Sequence, residues 1–171
     1  MEIAGFKIHI QRIIVAVAAL LGIIGSFMNW MTMKFSMLGV TAKESVSGIE
    51  KWYVGGGDFG SATPNFKFIN GWIMIIIFIA AIVLCMLKDR DKPFAEPKFK
   101  YGVTAAGGVA FLFAILKMTD INKFSDLGLG MTIRTGFGLI LILLMGIIIA
   151  ATPFLEKQID DIIGKITKKN A

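Results

Sequence analysis

The residues of this 171-residue chain that could do chemistry cluster in one stretch, "WYVGGGDFGS", from Trp52 to Ser61. Gly55, Gly57 and Gly60 satisfy G-x-G-x-x-G, a spacing that lets backbone N–H groups cradle a phosphate at a helix N-terminus. Asp58-Phe59-Gly60 also spells the metal-binding tripeptide of protein kinases. The dinucleotide fingerprint must follow a strand and open a helix within a βαβ unit. Here Ser61, Pro64 and Asn65 precede the next helical run, and the kinase tripeptide lacks every companion motif. No nucleotide and no cofactor are therefore expected. The stretch reads instead as a tether whose glycines permit positive φ and a tight return of the chain, with Trp52 and Tyr53 as interfacial anchors.

The remaining candidates do not assemble into a catalytic set. Ser45 and Ser47 have no nearby histidine to act as base, because His9 is the only histidine. Glu44, Glu50 and Asp58 could supply paired carboxylates for glycoside chemistry, but three acids in a solvated loop read as surface charge. One cysteine, Cys85, with one histidine makes neither an internal disulfide nor a four-ligand zinc site. Cys85 reads as a small packing residue. The chain is expected to be non-enzymatic, with no catalytic, cofactor-binding or metal residues.

Composition points to lipid. The chain is 56% hydrophobic and 18% charged, against the ~25% charged residues of a soluble domain, and its mean hydropathy is +0.74. The apolar residues fall in four runs, predicting spans at 13–31, 68–87, 100–117 and 135–155; the third is shortest and needs Lys117 to snorkel. The net charge of +6 does not imply nucleic acid, because the cations gather beside these runs. Segments 1–12, 88–100 and 156–171 hold eleven Lys and Arg in 41 residues, against seven in 54 for segments 32–67 and 117–134. The denser side is cytoplasmic by the positive-inside rule, which places both termini inside. Trp30, Trp52, Trp72 and Tyr101 then read as membrane-interface anchors. The first span is too long for a signal peptide and lacks a small-x-small cleavage site, so it reads as an uncleaved helix.

The segments outside the bilayer carry their own patterns. In the β-rich loop 32–67, Met33, Phe35 and Met37 alternate with Thr32, Lys34 and Ser36, the period of a half-buried strand. Leu38-Gly39 is a turn, and "VTAKESVSGIEKW" supplies one or two further strands. A hairpin is marginal alone, so a third strand or support from 117–134 is required. Such a sheet either caps the bundle or pairs with another chain through an exposed edge. The tail 156–171 places Ile159, Ile162, Ile163 and Ile166 on one helical face flanked by lysines, an amphipathic helix for the membrane surface or a partner.

Gly102, Ala106, Ala110 and Ala114 form a small-residue stripe on the third span, and Ala18, Gly22 and Ser26 form another on the first. Such stripes bring helix backbones together in lipid, either within one bundle or between subunits. Apart from edge residues, no span holds Asp, Glu, Lys, Arg or His, so the groups that bind or relay charge in pumps are missing.

Four spans with both ends inside, a long first outer loop and a short second one resemble the claudin and peripheral myelin protein superfamily. "MNWMTMKFSM" (Met28 to Met37) resembles the claudin junction between a helix and the first strand. "VTAAGGVAFLFAIL" and "RTGFGLILILLMGIII" resemble the third and fourth spans of that group. The claudin loop carries two cysteines and this one has none. The chain also resembles small bacterial tetraspan proteins of unknown role, in which a segment like "SVSGIE" follows the first span. The resemblance implies a claudin-like architecture and a role in lateral assembly.

The expectation is an all-α membrane protein. It is a single tetraspan domain over 1–171, an antiparallel four-helix bundle with a small extracytoplasmic sheet, in the plasma (cytoplasmic) membrane. Its partners are the lipid bilayer and either copies of itself, as a homo-oligomer, or another membrane protein. The assembly candidates are Met33, Lys34, Phe35, Met37, Gly102, Ala106, Ala110 and Ala114. The alternative is a pore-forming or transporter-accessory subunit.

Overall fold

The computed structural model describes residues 2–3, 6–37, 40–49, 71–87, 91–92, 94, 96–123 and 131–169. The glycine stretch 52–61, the Leu38-Gly39 turn and Trp52 lie outside them. In chain order the elements begin with a two-residue pair, β1 (Glu2–Ile3) and β2 (Phe6–Lys7), then α1 (Ile10–Phe27), β3 (Asn29–Met37) and β4 (Val40–Ser47). They continue with α2 (Gly71–Met86), α3 (Pro97–Lys123), β5 (Met131–Thr135), α4 (Phe137–Ala151), a 3-10 turn (Thr152–Phe154) and α5 (Glu156–Lys169). Three helical stretches, Ile10–Phe27, Pro97–Lys123 and Phe137–Phe154, are long and apolar enough to cross a membrane. α2 is equally apolar but has 16 residues, about 24 Å at 1.5 Å per residue.

α1 packs on α2 and α4, and α3 packs on the same two, so the four helices meet in cyclic order. The N–H of Gly71, opening α2, bonds Gly48 just beyond β4, while Gly138, at the start of α4, touches Gly25 near the end of α1. Successive helices therefore run in alternating directions. Glycines set the closest crossings. A Cβ on Gly107 of α3 would fall 2.7 Å from the Gly146 carbonyl oxygen of α4 and would collide with the Ala150 nitrogen. A Cβ on Gly138 would fall 2.6 Å from the Gly25 oxygen. Outward from these contacts the helices expose Leu20 and Ile24 of α1, Ile76 and Ile79 of α2, Leu112 of α3 and Leu144 of α4. An apolar belt of that extent is what a soluble monomer avoids.

The helix boundaries correct the sequence reading. α1 lies three to four residues earlier than the span expected at 13–31, because it takes in Gln11 and Arg12 and releases Asn29 to Met31 to the sheet. The third helix is the longest, not the shortest. Its 27 residues, about 40 Å, continue past Lys117 because Met118 and Ile121 face the core under the sheet. Lys117 itself is half-buried, with Nζ 5.7 Å from the Phe113 ring centre. Pro153 ends α4 in the 3-10 turn, as a residue without an N–H donor should.

The sheet is antiparallel in the order β4-β3-β5. The third strand comes from the second connection, Met131–Thr135, and the segment "VTAKESVS" contributes one strand. β3 and β4 pair from Met31 with Val46 to Met37 with Val40, with a register shift between Asn29 and Met31 that leaves Trp30 unpaired. A bulge of this kind turns two successive side chains to the same side. Both Trp30 and Met31 are consequently buried.

Candidate interaction surface on the sheet

The sheet is fastened to the helix ends by Trp30. Its indole is 1% exposed and meets the Phe113 ring edge-on, at 5.9 Å between centroids and 66° between planes. Nε1–H donates to the Gly25 carbonyl at 3.0 Å, satisfying one of the last acceptors of α1. Gly48 lies flat against the ring, where any Cβ would collide with it. Backbone bonds complete the seam: Gly48 N–H to Met28 O at 3.3 Å, Gly71 N–H to Gly48 O at 2.6 Å, and Gly136 N–H to Trp30 O at 2.7 Å. Trp30 is therefore a core residue and not the interfacial anchor expected from the sequence, because the bulge turns it inward.

Ladder register separates the two faces of the sheet. Met31, Met33, Val46 and Ile133 share the side facing the helices; Met31, Val46 and Ile133 are buried, and Met33 is packed partly against the core. Thr32, Lys34, Ser36, Thr41, Lys43, Ser45, Thr132 and Arg134 share the other. Lys34, Lys43 and Arg134 are exposed there, and the hydroxyls pair across strands, Thr32 with Ser45 at 3.5 Å and Ser36 with Thr41 at 3.3 Å. Phe35 and Met37 lie on β3 at the register positions of Ala42 and Val40. The structure thus brings Met33, Lys34, Phe35 and Met37 together on one strand but assigns Lys34 to the face opposite Met33.

The small-residue stripe has a different fate. Ala110 and Ala114 have no exposed surface, and Ala106 packs partly on the same core. Gly102 lies beside Leu84 of α2, 3.2 Å from where its Cβ would be. Ala110 and Ala114 are consumed inside the chain and are not available to a second subunit. The physical reason is close backbone approach between α3 and α4, which the α4 glycines permit. Trp72 and Tyr101 remain on the surface, 54% and 64% exposed, at the sheet end of α2 and the opposite end of α3.

A second fastening, at the end opposite the sheet, was not legible as such. Arg12 is 3% exposed. Its guanidinium donates from Nε to Lys92 O at 2.9 Å and from Nη1 to Cys85 O at 2.8 Å and Leu87 O at 3.0 Å, with Cζ 4.9 Å from the Phe94 ring centre. These carbonyls belong to the end of α2 and the chain after it, where a helix leaves acceptors unmet. Beside it, buried Gln11 donates from Nε2 to Thr152 O at 3.2 Å, and its Oε1 has no partner among the described residues. His9 caps α1 by accepting from the Gln11 N–H at 3.4 Å, so the one histidine is at the far end of α1 from Ser45 and Ser47. Among the described residues no group of three or more His, Cys, Asp and Glu is placed to hold a metal. No protein-family model matches the chain, and no curated protein matches it.

Proposed function

We propose that the protein is a non-enzymatic membrane protein with four spans, α2 being the fourth, that assembles laterally through its sheet. The carrying observation is the Trp30 seam, which holds a three-stranded sheet firmly on the helix ends while leaving one polar face exposed. A small sheet with two outer edges is a template for pairing with another chain. The layout is the claudin-like one of the sequence resemblance, without cysteines, in the plasma membrane and with both termini cytoplasmic. Trp72 and Tyr101, exposed at opposite ends, serve as anchors at the two interfaces.

The two edges differ in what they permit. A two-fold antiparallel pairing along β4 in its registers of longest overlap sets Lys43 against Lys43 or Glu44 against Glu44, and like charges directly opposite are unfavourable. The same operation on β5, centred on Ile133, sets Thr132 against Arg134 and brings no like charges together. The β5 edge is therefore the contact with a second copy. Mass measurement of the protein in lipid nanodiscs reconstituted over a range of protein-to-lipid ratios tests this reading. Dimers or larger species whose share falls as lipid is added are the expected result. A monomer at every ratio overturns it.

A further inference from the structure

The exposed face of the sheet carries charge that packing does not use. Lys34 of β3 stands directly opposite Lys43 of β4, and Arg134 of β5 lies one rung away, opposite Thr32. Like charges across a ladder oppose pairing. Yet no carboxylate lies on this face among the described residues, since Glu44 shares the other face with Met33. The hydroxyl pairs Thr32–Ser45 and Ser36–Thr41 flank the lysine rung on either side. Each hydroxyl can both donate and accept, so together they line the cations with groups suited to phosphate oxygens.

We propose that this face binds a linear, hydrophilic polymer bearing repeated phosphate groups. Charge complementarity supplies the sign of the partner, and two further observations supply its kind. Among the described residues every side chain on the face is Asn, Ser, Thr, Lys or Arg, so they offer no aromatic or aliphatic anchor of the kind a protein partner needs. The three cations are exposed, where a single ion pair is weak and screened by salt. One free phosphate would not be held, whereas a chain that meets all three cations gains from linkage. The face also turns away from the helices and their exposed Ile and Leu belt, which directs it toward a polymer in water and not toward lipid headgroups. The inference rests on the proposed function only for the sheet lying outside the bilayer, and it needs no second copy.

The test uses the full chain in zwitterionic nanodiscs and fluorescent long-chain polyphosphate, read by anisotropy. Binding is expected to weaken with salt, with a slope of about −2 in log K against log salt from counterion release at three cations. A triple variant, Lys34→Ser with Lys43→Ser and Arg134→Ser, should lose at least about tenfold in affinity, and Lys165→Ser on α5 should lose nothing. The single variants, each expected to lose about two- to threefold, keep the test decisive if the triple variant does not fold. Equal affinity in the triple variant or no binding at low salt overturns the proposal. So does competition by orthophosphate at the same phosphate concentration, or binding only when the discs contain anionic lipid. A monomeric disc that binds the polymer leaves this inference standing while the assembly reading fails.

Discussion

The two ends of the helix array are fastened by opposite chemistry to the same purpose. At the sheet end an indole fills a pocket closed by Gly48 and Phe113 and spends its one donor on Gly25 O. At the other end a guanidinium reaches three carbonyls, of Cys85, Leu87 and Lys92. The last carbonyls of a helix have no intrahelical donor, and each fastening supplies one. The apolar fastening excludes water and fixes orientation; the charged one gathers several acceptors at once. The sheet is held by a buried ring with backbone hydrogen bonds beside it, and the opposite connection by side-chain hydrogen bonds from one guanidinium, so the two should fail differently.

The largest effect should come from Trp30→Ala, about 3–5 kcal/mol for losing a buried aromatic side chain. It should be read by reversible unfolding in mixed micelles, with faster amide exchange along β3 and β5. Trp30→Phe keeps an aromatic ring, though a smaller one, and loses the donor, and should cost about 1–3 kcal/mol. Arg12→Met comes next, at about 2–4 kcal/mol for several charge-assisted bonds. Its exchange signature should appear at the end of α2 and leave the sheet unchanged. Arg12→Lys should recover less than half, since one ammonium cannot reproduce the fork. If both variants loosen both ends equally, the distinction between the fastenings is wrong.

Smaller effects probe the ground between the ends. Gly107→Ala, pressing on Ala150 and Gly146, should destabilise by about 1–3 kcal/mol, whereas Gly108→Ala meets nothing within 4 Å and should be neutral or stabilising by about 0.5 kcal/mol. The smallest is Lys43→Glu, which turns a repulsive rung into an attractive one and should raise stability by about 0.5 kcal/mol. A loss there would mean that the Lys34–Lys43 rung is not strained by its charge.

Much of the helical layout was legible because apolar runs and glycine spacing act locally. The alternation in "MTMKFSM" likewise fixes β3 without reference to anything distant. What was not legible depends on partners remote in sequence. Arg12 reads as a flanking charge until the end of α2, more than 70 residues on, supplies its acceptors. Trp30 reads as an interfacial anchor until the register shift turns it inward; the two large neighbours in "NWM", which break the alternation, were the available signal. The length of α3 was hidden because Lys117 and Asp120 interrupt its apolar run, although Met118 and Ile121 continue its buried face. The period places Met33, Lys34, Phe35 and Met37 on a strand, as β3 has them, but the alanines of α3 are assigned to the interior only once α4 is in place.

The most direct test of lateral assembly through the sheet is photo-crosslinking in native membranes, with a photoreactive residue at Arg134 on β5 and, separately, at Lys98 at the opposite end of the molecule. Dimer adducts from Arg134 and none from Lys98 are predicted. Adducts from Lys98 alone, or from neither position, would contradict the account.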